Sequence, residues 1–168
     1  MTMLQLKPLS KEAIPSALAK ADRYRLLNEA AAAESICEDI LAVEPDNQQA
    51  LVLQLLAVTD QFGDGRPGLV GRAQAIARRL TGEYERAYYA GIVSERQGRA
   101  LLVRGGPGPG ALAVDWFQDA LHAFERAMAV RPPGNDDAVL RWNACARALN
   151  RLPQPLAGEA ERPAVISE

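Results

Sequence analysis

The chain has 168 residues, long enough to bury a continuous core without metals or disulfides, and its 48% hydrophobic and 24% charged residues are those of a folded globular protein rather than a disordered chain. With 19 basic against 21 acidic side chains and a formal charge of −2, no long-range field draws the molecule to nucleic acid or to an anionic membrane. No apolar run approaches the roughly 18 to 20 residues that span a bilayer.

At the amino terminus, Lys7, Pro8, Ser10, Lys11 and Glu12 interrupt any secretory apolar stretch, so no export is predicted. Cys37 and Cys145 lie far apart without CxxC spacing, which suits reduced core thiols in a reducing compartment. The expected location is the cytoplasm.

Punctuation divides the chain into about seven helices, at 11–27, 30–43, 47–62, 67–80, 83–103, 111–130 and 136–151. Asn28 suits a left-handed turn closing the first helix. In the second, Ala33, Ile36, Cys37, Ile40 and Leu41 form one apolar stripe at helical spacing. Pro45 stops it, and Asp46 with Gln49 reads as a capping box for the third. That third helix is apolar nearly all round, with Leu51, Leu55, Val58 and Phe62 on one face and Val52 and Leu56 on another, as in a fully buried helix or a hydrophobic groove.

Pro67 suits the first turn of the fourth helix, and Gly82 breaks the chain before the fifth. Within the fifth, Glu95 follows Tyr88 and Ile92 and has Arg96 and Arg99 as helical neighbours. It reads as a solvated i,i+4 ion pair or, more sharply, as a polar hot spot in a groove. Gly105-Gly106-Pro107-Gly108-Pro109-Gly110 reads as a loop; its prolines lack the N–H donors of a phosphate cradle and no Lys-Ser or Lys-Thr follows. Phe117, Ala120, Leu121, Phe124 and Met128 repeat the apolar stripe in the sixth helix. His122, the one histidine, has no partner at metal-ligand spacing, so neither a metal nor any other cofactor is expected. Asp136-Asp137 reads as a helix-start cap rather than a catalytic carboxylate pair. A helical domain over 1–152 and a disordered tail over 153–168, rich in proline, are expected.

Two helices end alike. The segment from Ala33 to Asp46 aligns without a gap on that from Ala120 to Pro133, with Pro45 and Pro132 at the same interval from their alanines. Ala120, Phe124, Ala127 and Pro132 match the small–aromatic–small–proline series of the tetratricopeptide repeat (TPR), which the chain resembles over most of 11–151. Cys37 and Ile40 depart from that series in the first copy, and the pattern is degraded over 66–104.

The resemblance implies an all-α stack of antiparallel helix hairpins, about three and a half of them with 136–151 as the closing helix. It also implies a concave face lined by the first helix of each hairpin, near Asp22, Arg25, Val52, Leu56, Thr59, Tyr88 and Arg96. Glu95 joins those partner-binding candidates. Leu18 and Asp22 stand where some relatives carry a lysine and an asparagine that clamp terminal carboxylates, so that specialisation is not expected. The expected function is a non-catalytic adaptor or scaffold that binds another protein or peptide segment, without nucleic acid or membrane. The alternatives are a module that assembles with copies of itself, and a small-ligand or enzyme pocket between helices 83–103 and 136–151 using Glu95, Arg141 and Asn143.

Overall fold

A computed structural model of the chain describes residues 2–153, so the expected disordered tail, beyond Pro153, lies outside the described residues. Seven α-helices and no strand occur among them: α1 (Ile14–Leu26), α2 (Ala30–Val43), α3 (Gln48–Asp60), α4 (Leu69–Arg78), α5 (Glu83–Arg104), α6 (Pro107–Ala129) and α7 (Asp137–Arg151). The all-helical expectation and the helix count are met. Each helix packs against the next, and α1 also touches α3 while α3 touches α5, so the first, third and fifth helices form one row.

The connections follow from local chemistry. Asn28 adopts φ 62°. The Glu29 N–H then reaches the Tyr24 carbonyl at 2.9 Å and the Asn28 N–H the Arg25 carbonyl at 3.0 Å, the paired closure of a left-handed helix end. After Pro45, the cap of α3 is Asn47 and not the expected Asp46–Gln49 box: its Oδ1 accepts the Ala50 N–H at 2.9 Å, while its Nδ2 donates to Glu44 at 2.9 Å. Pro67 precedes rather than begins α4, which starts after Gly68 at φ 84°.

The Gly-Pro run is corrected more substantially. Only Gly105 and Gly106, at φ 69° and 87°, make the turn, and α6 begins at Pro107. The first turn of a helix has N–H groups with no partner, so Pro107 and Pro109 remove nothing the helix needs. At α7, Asn135 rather than the acidic pair supplies the acceptor, taking the Asp137 N–H at 3.1 Å.

The α5 and α6 helices pack closely at two glycines. A Cβ added at Gly91 would lie 2.5 Å from the ring of Phe124, and one at Gly98 3.1 Å from the ring of Phe117. Both rings are wholly buried, in a core that runs from α3 to α7. A smaller cluster of Ile14, Ile40 and Ala50 joins α1, α2 and α3, with Leu9 packed on it.

Candidate functional site

Acidic side chains at a helix C-terminus oppose its dipole, and Asp60 ends α3. Two arginines offset that charge. Arg96, on α5, donates from Nη1 to Asp60, to the Thr59 hydroxyl at 2.7 Å and to the Leu56 carbonyl at 3.2 Å. Arg25, on α1, reaches the other oxygen of Asp60 at 3.4 Å and Asp22 at 3.9 Å. Burial pushes the Arg96 guanidinium down from its ordinary range, and Asp60 opposes that shift. Four of the sequence candidates, Arg25, Leu56, Thr59 and Arg96, are thus brought together around Asp60, which sequence reading missed.

Immediately before Arg96 in the same helix, Glu95 is 1% exposed, which corrects the expectation of a solvated face. Its i,i+4 ion pair does form: Arg99 donates from Nε and Nη2 to Oε1 at 3.0 and 2.9 Å. Arg141, on α7, stands 3.6 Å from Oε2, which accepts no hydrogen bond from any of the described residues. Tyr88 stacks on Tyr84 at 5.6 Å, with Tyr89 edge-on at 5.1 Å. Glu95 and Arg141 therefore join α5 to α7, as the first group joins α1 and α3 to α5.

Beside these ties lies an open groove of about 740 Å³. Leu18, Ala19 and Asp22 of α1 form one wall, Gln48, Val52 and Leu53 of α3 the floor, and Tyr89 of α5 the far side. Val52 is the sequence candidate that lines the groove together with Asp22, and Asp22 is the one charged lining residue. The double apolar face of α3 has both causes: Leu51, Leu55 and Val58 are buried in the core while Val52 remains half-buried at the groove.

Cys37 and Cys145 are free and buried, and burial pushes both thiols up to about 12, with Glu34 adding to the rise at Cys37 and Glu95 at Cys145. His122 is exposed on α6. Among the described residues no group of three or more His, Cys, Asp or Glu side chains is placed to hold a metal ion, and no helix is long and apolar enough to cross a membrane. No family model matches the chain, and no curated protein or solved structure matches it.

Proposed function

We propose that the chain is a non-catalytic interaction module of TPR type that holds a segment of another protein in the groove between α1, α3 and α5. The observation that carries this reading is the groove itself, apolar and open, with Asp22 as its sole charged lining residue. Its volume falls in the range that accommodates several apolar side chains. The matched ends of α2 and α6 support a repeated hairpin, and the row of α1, α3 and α5 is what a hairpin stack needs in order to present such a surface.

In this reading the candidates divide by role. Val52 touches the partner, and Tyr89 is added to it. Arg25, Thr59 and Arg96 hold the helices that form the groove, since both guanidinium groups pair with Asp60 and Arg96 also bonds the Thr59 hydroxyl. Glu95 braces α5 against α7, and Tyr88 packs it on Phe124 of α6. An enzymatic role for Glu95 with Arg141 and Asn143 is disfavoured, because the carboxylate is closed over by two arginines and 1% exposed.

Ala19→Arg tests the proposal by filling the groove from an exposed position on α1. Affinity capture from native lysate, read by mass spectrometry, should lose the wild-type partner with the variant by at least tenfold, while helicity and Tm stay within a few degrees. Capture of the same protein at the same yield would place the binding surface elsewhere.

A further inference from the structure

The segment before α1 is the least partnered apolar part of the described chain. Met3, Leu4 and Leu6 are 95%, 90% and 87% exposed, while Leu9 packs on the cluster of Ile14, Ile40 and Ala50. Burial of such side chains is favourable in proportion to the apolar area removed from water, so an arm left in water is a docking element without its dock. The same chain carries an open apolar groove, and both features adjoin α1.

We infer that residues 2–9 of one molecule dock in the α1/α3/α5 groove of a second copy, in reciprocal exchange. Two observations point to this occupant. The first is charge: Lys7 is the only charged side chain in residues 2–9, and Asp22, 3.9 Å from Arg25, is the only one lining the groove, so arm and groove are complementary in sign as well as apolar. Extended chain places Leu4 and Leu6 on one side, facing the floor at Val52 and Leu53, with Lys7 next in line for the rim.

The second is direction. Leu9 pins the root of the arm, Ser10 is extended at φ −75° and ψ 146°, and Pro8 holds Lys7 out of the helical region. The groove begins just past that root, on α1. No residue of the arm lines the molecule's own groove, and Met3, Leu4 and Leu6 stand in solvent, free to enter a neighbour's. Exchange of one element between identical chains closes a two-fold dimer and buries both arms.

This inference rests on the groove reading and names its partner. The test is light scattering of the full-length chain over about a hundredfold concentration range. Wild type should pass from the monomer to the dimer mass. Leu4→Asp/Leu6→Asp should remain monomeric, and so should Ala19→Arg, each with unchanged circular dichroism. The first variant keeps an intact groove and the second an intact arm, so mixing the two should restore a one-to-one dimer through a single arm-and-groove contact. A wild type that is monomeric throughout, an arm variant that still dimerises, or a mixture that stays monomeric at the highest concentration each overturns arm exchange. If arm exchange fails but Ala19→Arg still loses its captured protein, the groove reading survives with another occupant. If Ala19→Arg changes neither association nor capture, both fall.

Discussion

Glu95 illustrates how little local sequence says about burial. Its helical neighbours are arginines, and Arg99 pairs with it as i,i+4 spacing dictates, yet the carboxylate is closed between α5 and α7. The cause lies at Gly91 and Gly98, which draw α5 against α6 and turn the face carrying Glu95 inward. Removing one partner of a buried ion pair leaves the others unpaired, but Arg99 and Arg141 are nearly half exposed and can rehydrate. Glu95→Ala should therefore cost about 1–3 kcal/mol, below the penalty for a sealed pair, with Glu95→Gln milder. Urea midpoints of the two variants check this; coincidence with wild type would show that the pair contributes nothing.

The buried thiols make a second prediction at this scale. Their pKa values are raised in the folded chain to about 12, against roughly 8.5 for an unfolded cysteine. The native state thus binds more protons between those values, so the thiols' contribution to stability is whole below pH 8.5 and declines as pH climbs towards 12. An alkylating reagent at pH 8 should leave Cys37 and Cys145 unmodified in native protein and modify both in denaturant. Labelling of folded protein at the unfolded rate would contradict that.

At the scale of elements, the helix boundaries were legible because Pro45, Gly82 and Asn28 act locally, and local chemistry survives tertiary contact. The start of α6 was not. Gly-Pro composition argues for a loop, whereas position argues for a first turn, and position prevailed from Pro107 onward. The groove was half legible: Val52 and Asp22 line it, but Tyr89 and Ala19 were missed because helical spacing does not say which of two adjacent side chains faces a neighbour's gap. Asp60 left a signal that could have been used, an acidic side chain at a helix C-terminus in need of cations.

The α5–α6 contact supplies the prediction for this scale. Gly91→Ala places a methyl against a ring that cannot move and should destabilise by about 1–3 kcal/mol. Gly71→Ala, in α4 with no atom within 4 Å of the added carbon, should instead stabilise by about 0.5–1 kcal/mol by stiffening the unfolded chain. Thermal melts of both variants test the pair, and shifts of the same sign would remove the argument from close approach.

Across the whole molecule the core is lopsided. The large cluster runs from α3 to α7, whereas α1 is fastened chiefly by the small cluster of Ile14, Ile40 and Ala50 and by the Arg25–Asp60 tie. Helices that pack mainly on their sequence neighbours open from the weaker end. Amide hydrogens of α1 and α2 should accordingly exchange at lower protection than those of α5 and α6, which native-state exchange would resolve; equal protection throughout would mean a single cooperative unit. Since α1 is one wall of the groove, groove and fold should have different thermometers: on warming, the groove is expected to unbutton from one end while most of the helix is still intact.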